Sequence, residues 1–244
     1  MEHDDPTLGR VLSRREVVTW LGATGVAWLT GGSLHAKRVV MTTRGPSCVV
    51  RPEQTQGPYF VDERLHRSDI RSDPADGRVK PGMPLALTFL VSRLSAGTCQ
   101  PLPGCQVDLW QCDALGIYSD VRDPGFNTVG QKFLRGYQLA DAHGEVRFTT
   151  VYPGWYAGRT VHLHFKVRAE PSAQRGFEFT SQLYFDDALT DRVHAAAPYA
   201  TNGPRTTRNR DDRIFRRGGD QLVLTPEAVG AGYAASFAIG LQLP

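Results

Sequence analysis

The sequence predicts an all-β protein, an antiparallel β-sandwich with long loops and little helix. From Pro84 onward, short apolar or alternating runs are separated by turns rich in Gly, Pro and Asp, which is the pattern of sandwich strands. Helical apolar periodicity is nowhere sustained over more than two turns, and only residues 187–197 could form a short helix. With 244 residues and 41% hydrophobic content, the chain can bury one sizeable core.

The predicted strands follow one another along the second two thirds of the chain. They cover residues 85–91, 107–112, 146–151, 161–167, 179–185, 221–224 and 233–243. Residues 37–80 hold Pro, Gly, Asp and Arg in irregular order, so we expect an N-terminal arm without regular structure there. The β-sandwich domain is then expected over residues 81–244.

Residues 1–36 have the pattern of a twin-arginine export signal. Arg14 and Arg15 precede an apolar run at residues 17–29, and a cleavage site of the small-residue kind follows at 34–36. The apolar run is shorter than the roughly 20 residues that span a bilayer, which favours export over a membrane anchor. No cysteine that could carry a lipid directly follows the run. The sequence therefore predicts a secreted or periplasmic protein without a stable membrane anchor.

The charge pattern argues against a nucleic-acid partner. The net charge of +3 is small for this length, and the basic residues are scattered along the chain. The densest basic patch, at residues 205–213, is interrupted by acids and is interpreted as a solvated loop.

Four cysteines follow the predicted export signal: Cys48, Cys99, Cys105 and Cys112. An even number of cysteines in an oxidising compartment predicts disulfide bonds. Three pairings are possible, and the sequence does not choose among them. One arrangement joins Cys99 to Cys105 around a short turn and Cys48 to Cys112. A thiolate metal site is disfavoured because no two cysteines have CxxC spacing.

Two histidines, His162 and His164, are separated by one residue in a run that alternates apolar and polar residues. On a strand, side chains two apart point to the same face, so both imidazoles converge on one point. That is the geometry of a metal site, although a solvent-facing histidine pair has the same pattern.

Two tyrosines lie in turns near this histidine strand. Tyr156 ends the segment YPGWY just before the strand, and a turn there can fold its side chain back over the histidines. Upstream, residues 113–116 have the composition of a turn that places Tyr118 at the rim of the site. Taken separately, each tyrosine is better explained as a packing residue than as a metal ligand.

Taken together and in order, these segments resemble the intradiol ring-cleavage dioxygenase family, which includes catechol and protocatechuate dioxygenases. The resemblance covers essentially the whole chain after the export signal. It is carried by residues 52–59 (PEQTQGPY), 107–118 (VDLWQCDALGIY), 133–138 (FLRGYQ), 144–148 (GEVRF), 152–156 (YPGWY), 159–165 (RTVHLHF) and 181–185 (SQLYF). The helical dimerisation segment of the catechol dioxygenases proper is missing. This favours the smaller secreted type and leaves the oligomeric state open.

The resemblance implies a non-haem Fe(III) centre whose ligands are Tyr118, Tyr156, His162 and His164. Two phenolates and a hydroxide would neutralise the charge of ferric iron, and neutral imidazoles would complete the ligand set. The sequence has no carboxylate that matches the two-His-one-carboxylate triad of ferrous oxygenases. The resemblance thus favours Fe(III) over Fe(II).

The resemblance also implies the reaction. A catechol ring is cleaved between its two hydroxyl-bearing carbons, and both atoms of O2 are inserted to give a cis,cis-muconate-type diacid. Tyr156 would leave the metal and accept a substrate proton, Arg159 would stabilise charge on the ring, and Gln182 would orient substrate or peroxide. Arg159 lies three residues before His162, so it must sit in a turn or at a twist to reach the same face. Otherwise Arg159 merely pairs with a surface acid.

Two other function classes remain open at this stage. One is an exported β-sandwich binding module without a metal, because a fold alone does not fix a function. The other is a zinc hydrolase that uses the same histidines.

The sequence does not choose among catechol, protocatechuate, hydroxyquinol and alkyl-substituted catechols as substrate. Candidate pocket residues are Tyr59, Asp120, Arg122 and Arg135. A carboxylated substrate would require a cation opposite the metal, so Arg122 or Arg135 is a hypothesis for that role.

Overall fold

The structure, a computed structural model, describes residues 48–169 and 176–243. The predicted export signal and residues 37–47 of the predicted arm lie outside the described residues. No helix in the described ranges is long and apolar enough to cross a membrane.

Strands account for most of the regular structure. In chain order they are β1 (Pro84–Ser95), β2 (Thr98–Pro101), β3 (Gln106–Trp110), β4 (Arg122–Asp123), β5 (Phe126–Asn127), β6 (Arg135–Leu139), β7 (Glu145–Val151), β8 (His162–Ala169), β9 (Phe177–Tyr184), β10 (Glu227–Val229) and β11 (Gly232–Leu241). One α-helix, α1 (Asp187–His194), follows β9, and short 3-10 turns occur at Tyr199–Asn202, Asn209–Asp211 and Gly219–Leu222.

The strands form two large sheets and one small hairpin. The first sheet has the order β10-β11-β1-β2, with β7 also paired to β1, and the second has the order β6-β3-β8-β9. The hairpin consists of β4 and β5. The predicted all-β fold is confirmed, but β1 and β11 pair in parallel. These two strands are far apart in the chain, so no tight hairpin turn forces them to run antiparallel.

The core lies between the two large sheets. Alternate residues of β1 point inward, among them Leu87 and Phe89, and both are buried. Phe89 contacts Phe165 of the second sheet with ring centroids 5.3 Å apart, and Phe237 of β11 lies 5.5 Å from Phe165. The period-two alternation of these strands therefore decides which side chains enter the core.

β8 is buried on both faces, which the alternating sequence does not predict. One face enters the core, whereas the other lies beneath the N-terminal arm. The arm runs beside β9, because the Gln54 N–H donates to Thr180 O at 2.9 Å and the Gln182 amide donates to Thr55 O at 2.9 Å. The arm thus covers the face of the second sheet that carries the histidines.

The predicted strand at residues 221–224 is wrong. Gly219–Leu222 is a 3-10 turn, and only a single bridge joins Val223 to Tyr184. The three apolar residues after Gln221 are too few to show a period by which strand and turn can be distinguished. The predicted short helix is confirmed as α1, whose N-terminal cap is Asp186 accepting from the Leu189 N–H.

The disulfide arrangement that joins Cys99 to Cys105 and Cys48 to Cys112 is also wrong. Cys48 is bonded to Cys99, and their Cα atoms are 5.4 Å apart. Cys105 and Cys112 are buried thiols. Cys99 and Cys105 do not meet, because Cys105 faces the core whereas Cys99 lies on β2 at the edge of the first sheet.

The interpretation of residues 205–213 as a solvated loop is wrong for two of its charged residues. The side chain of Arg205 is only 4% exposed and pairs with Asp187 and Asp191 of α1 at 2.5 and 2.9 Å. Asp212 is 1% exposed. Acids elsewhere in the fold draw Arg205 inward, so this segment packs against the domain.

Candidate functional site

The two histidines lie side by side at the start of β8. Both side chains are buried, and their Nε2 atoms are 3.1 Å apart. His162 Nδ1 lies 2.6 Å from Thr160 O, which assigns the proton to Nδ1 and leaves the lone pair of Nε2 pointing at the site. Burial, with the nearby Arg159 charge, lowers the pKa of His162 to about 3, and burial lowers the pKa of His164 as well. Both imidazoles are therefore neutral at pH 7, the form that binds metals.

Tyr156 reaches the histidines from the turn that precedes β8. Its Oη lies 3.2 Å from His162 Nε2. The turn can approach the 113–116 turn closely because a Cβ at Gly154 would lie 2.4 Å from Ala114 O. The Pro-Gly sequence thus allows the contact that brings Tyr156 over the histidine pair.

Tyr118 lies inside the protein, so its predicted position at the rim is wrong. Asp113 Oδ1 accepts from the Leu115 and Ile117 N–H groups, which forms the expected turn. The Tyr118 ring is 0% exposed because Tyr59 of the arm stacks on it at 4.5 Å. Its Oη is buried without a hydrogen-bond partner in the structure. An unsatisfied buried hydroxyl costs about 1–3 kcal/mol, and a metal bound beside Tyr118 would remove that cost.

The four side chains fit ferric iron. The Tyr118 ring lies 5.8 Å from the Tyr156 ring and 6.3 Å from the His164 ring. Phenol oxygens and imidazole nitrogens therefore face one place, and oxygen anions suit a hard trivalent ion. No group of three or more His, Cys, Asp or Glu side chains with metal-binding geometry occurs in the described ranges. The tyrosines are therefore essential to the set.

Arg159 lies in the turn before β8 and shares the histidine side. Its Nη1 is 3.3 Å from His162 Nε2. The conflict with strand alternation does not arise, because β8 begins only at His162. Its Nε donates to Asp212 Oδ2 at 2.8 Å. The acid that pairs with Arg159 is therefore buried and not a surface residue.

Gln182 lies on β9 directly opposite His164. Its Oε1 accepts from Arg159 Nη2 at 2.5 Å and from Tyr184 Oη at 3.0 Å, and its Nε2 donates to Thr55 O. The side-chain amide is thus engaged by protein groups. This arrangement holds Arg159 in place more directly than it could orient a substrate.

Two of the candidate pocket residues belong to the wall around Tyr118. Tyr59 donates from Oη to Asp123 Oδ2 at 2.8 Å, and burial together with Asp123 raises the pKa of Tyr59 to about 12. Arg135 is 2% exposed and donates to Tyr59 O at 2.7 Å and to Ser119 Oγ at 2.8 Å. Burial lowers the pKa of Arg135 to about 10. Arg135 therefore holds the wall together and does not present a free cation.

The other two candidates lie further out, near the β4–β5 hairpin. Asp120 accepts from the Gly130 N–H at 2.7 Å, which holds the ends of the hairpin loop together. Arg122 is exposed on β4. Of the two arginines considered for recognition of a carboxylated substrate, only Arg122 has its side chain exposed.

Two residues that shape the site, Asp212 and Gly57, were not predicted from the sequence. Asp212 holds Arg159 from 53 positions further along the chain, and no local pattern points to it. Gly57 has φ of +72°, and a Cβ there would lie 3.3 Å from His164 Cε1. The Gly-Pro pair at residues 57–58 was a usable signal, because it marks a turn in the arm.

Comparisons with known proteins show which family the chain resembles. A protein-family model described as Dioxygenase matches residues 55–202. The chain is 29% identical over 204 residues to the protocatechuate 3,4-dioxygenase beta chain of Burkholderia cepacia, which covers 78% of this chain and 81% of that protein.

Two solved structures are similar over most of the chain. An intradiol ring-cleavage dioxygenase from Tetranychus urticae has a TM-score of 0.69 and 28% identity, covering 80% of this chain and 95% of that one. The dioxygenase domain of a dioxygenase carbohydrate-binding protein fusion from Streptomyces sp. SirexAA-E has a TM-score of 0.56 and 26% identity, covering 80% and 100%. The family match spans more than half of the chain and includes the four clustered side chains. The chain is therefore an enzyme and belongs to the intradiol ring-cleavage dioxygenase family.

Proposed function

We propose that this enzyme is an Fe(III)-dependent dioxygenase that cleaves a catechol ring between its hydroxyl-bearing carbons. Both atoms of O2 enter the product, a cis,cis-muconate-type diacid, in the breakdown of aromatic compounds. The observation that carries the proposal is the convergence of two tyrosines on the His162–His164 pair, with the Tyr118 hydroxyl buried and unpartnered. The related Burkholderia protein, named a protocatechuate 3,4-dioxygenase, supports the same reaction class.

Tyr118, Tyr156, His162 and His164 would hold the iron. When bound, ferric iron would supply a Lewis-acidic, redox-active centre for the catechol and O2. The protein's own contribution begins with the two neutral imidazoles, which bind through Nε2 without prior loss of a proton. Thr160 O fixes the proton of His162 on Nδ1, so this ligand is ready in the required tautomer.

The two tyrosines have different freedom, which suggests different roles. Tyr118 is completely buried beneath Tyr59, whereas Tyr156 lies in a turn and is only partly buried. Tyr156 would therefore be the residue that accepts a proton from a catechol hydroxyl at its Oη.

Arg159 would stabilise negative charge on the substrate. Its Nη1 group is directed toward the donor set, and its other two nitrogens are held by protein acceptors. A fixed cation in a water-poor site stabilises developing charge without the cost of reorienting solvent. The arm supports this role because Tyr59 and Gly57 cover Tyr118 and His164.

The experiment that tests the proposal combines metal analysis, visible spectroscopy and oxygen uptake. We expect iron-loaded protein to be reddish from phenolate-to-iron charge transfer and to consume O2 with catechol. Tyr118→Phe and Tyr156→Phe should each alter the visible band, whereas Tyr137→Phe, on β6 against His66, should leave it unchanged. A colourless iron-loaded protein would contradict the ligand assignment. Zinc with hydrolase activity, or no metal at all, would favour the two alternative functions.

The choice of catechol is open to the same assay. Oxygen uptake across catechol, protocatechuate, hydroxyquinol and alkyl-substituted catechols ranks the substrates by kcat/KM. The exposed Arg122 favours a carboxylated ring only if it faces the bound substrate, and its replacement tests that directly.

Export through the twin-arginine route is proposed from Arg14 and Arg15 and the apolar run that follows them. The Cys48–Cys99 disulfide supports an oxidising destination. Cell fractionation tests the proposal: Arg14→Lys with Arg15→Lys should keep the enzyme in the cytoplasm. Unchanged export of that variant would contradict it.

A further inference from the structure

Asp212 is the most completely paired acid near the site, although it belongs to none of the segments that carry the donor side chains. Its side chain is fully buried, and four donors surround it. Oδ2 accepts from Arg159 Nε and from the Thr160 N–H, each at 2.8 Å. Oδ1 accepts from the Ile214 and Phe215 N–H groups at 2.6 and 3.0 Å. One carboxylate thus joins the C-terminal segment to the turn that carries Arg159.

The contacts of Arg159 divide its nitrogens into two kinds. Nε is held by Asp212, and Nη2 is held by Gln182 at 2.5 Å. Nη1 alone is directed at the donor set, 3.3 Å from His162 Nε2. A guanidinium is planar and rigid, so two fixed nitrogens determine the direction of the third.

We propose that Asp212 is a positioning residue for ring cleavage, which presents Nη1 of Arg159 to the bound catechol. The inference rests on the proposed function. Without Asp212, Nε of Arg159 loses its acceptor. The guanidinium is then fixed only by Gln182 at Nη2 and by His162 at Nη1, and it can rotate away from its present direction. The guanidinium would then no longer meet the negative charge that develops on the ring in the transition state.

The charges of the pair favour this arrangement. Burial raises the pKa of Asp212, but the Phe215 and Thr160 N–H groups and Arg159 lower it, and the net shift is downward. The acid therefore stays ionised opposite the Arg159 guanidinium, and an asparagine cannot replace it. In either orientation of the asparagine amide, its NH2 group would face N–H donors, either those of Arg159 and Thr160 or those of Ile214 and Phe215.

A second residue of the same segment provides a matched control. Asn209 Oδ1 accepts from Thr160 Oγ1 at 2.6 Å, so it holds the same turn without touching Arg159. Asn209→Ala should lower the unfolding midpoint in urea but leave kcat within about twofold. Asp212→Asn should lower kcat by about 10- to 100-fold with KM within about threefold, because the lost interaction belongs to the transition state.

The experiment is a double-mutant cycle on iron-loaded protein, with urea unfolding and anaerobic catechol binding measured for every variant. If Asp212 acts through Arg159, Asp212→Asn should have little further effect on kcat in an Arg159→Ala background. Asp212→Asn should bind catechol with the affinity of the parent protein, as measured from the change in the visible spectrum. If Asp212→Asn does not fold, Arg159→Lys takes its place in the test. A lysine lacks the rigid fork of the guanidinium, so kcat of Arg159→Lys should be as low as kcat of Arg159→Ala.

Three outcomes would overturn the inference. The first is full kcat in Asp212→Asn, and the second is independent, multiplicative effects of the Asp212 and Arg159 substitutions on kcat. The third is full kcat in Arg159→Lys, because the charge would then suffice without a fixed direction. A parent protein that binds iron but does not cleave catechol would overturn the proposed function together with this inference. If the parent cleaves catechol, the proposed function stands, and the activity of Asp212→Asn then tests this inference separately.

Discussion

Gly57 of the N-terminal arm lies directly against His164 of β8. A Cβ built at Gly57 would be 3.3 Å from His164 Cε1, closer than the usual carbon contact of about 3.5–4.0 Å. The backbone of Gly57 also has φ of +72°, which L-residues adopt only at a cost. The arm approaches this histidine closely because position 57 has no side chain, and a Cβ there would require the arm or His164 to shift by a few tenths of an ångström.

Gly57→Ala should destabilise the protein and disturb the iron site. Gly77→Ala is the matched control, since Gly77 also has φ of +72° but would place its Cβ in open space. The backbone strain of about 1 kcal/mol should be common to both variants. Only Gly57→Ala should show an additional loss in urea unfolding and faster release of iron to a chelator. Equal behaviour of the two variants would mean that the arm yields without moving His164.

Tyr118→Phe should have opposite effects on the metal-free and metal-loaded protein. The buried Tyr118 hydroxyl has no hydrogen-bond partner among residues 48–169 and 176–243, so its removal should raise the free energy of unfolding of metal-free protein by about 1 kcal/mol. The same variant should bind iron more weakly and lose visible absorbance. Tyr152→Phe is the control, because Tyr152 is equally buried but pairs with Thr190 Oγ1 at 2.7 Å. The free energy of unfolding of Tyr152→Phe, measured in urea, should fall by about 1 kcal/mol. Destabilisation of metal-free Tyr118→Phe would contradict the assignment of its hydroxyl to a metal.

Unfolded, unreduced protein should react with two equivalents of a thiol reagent per chain. Cys105 and Cys112 are thiols, and Cys48 and Cys99 are joined. The bond closes a loop with a sequence separation of 51 residues. In the chain-entropy model, its removal in Cys99→Ser should therefore cost up to about 4 kcal/mol in urea unfolding. Zero reactive thiols would indicate a second disulfide and contradict the assignment of Cys105 and Cys112 as free thiols.

Arg135→Met should affect stability and not substrate choice. The buried guanidinium bonds to Tyr59 O and Ser119 Oγ, so its loss should lower the free energy of unfolding by about 2–3 kcal/mol. Turnover of catechol and of protocatechuate should fall by the same factor. The control is Arg122→Met. Because Arg122 is exposed, this substitution should lower the free energy of unfolding by less than about 0.5 kcal/mol. A selective loss of protocatechuate turnover in Arg135→Met would restore Arg135 as a specificity residue.

The sequence by itself determined the features that depend on local periodicity. The one-residue spacing of His162 and His164 places both on one face of a strand, whatever the rest of the chain does. The alternation around Phe89 likewise matches the face of β1 that enters the core. Where a run was too short to show a period, as at residues 221–224, the prediction failed.

Only the tertiary structure decided which distant groups meet. Asp212 holds Arg159 across 53 residues, and Cys48 pairs with Cys99 across 51, whereas sequence proximity had suggested Cys105. Tyr118 is buried because the arm folds back and stacks Tyr59 on it. Such contacts depend on how separate segments pack, and packing is set by the shape and burial of the whole core. No window of a few residues carries that information, so the direction of Arg159 and the depth of Tyr118 followed only from the fold.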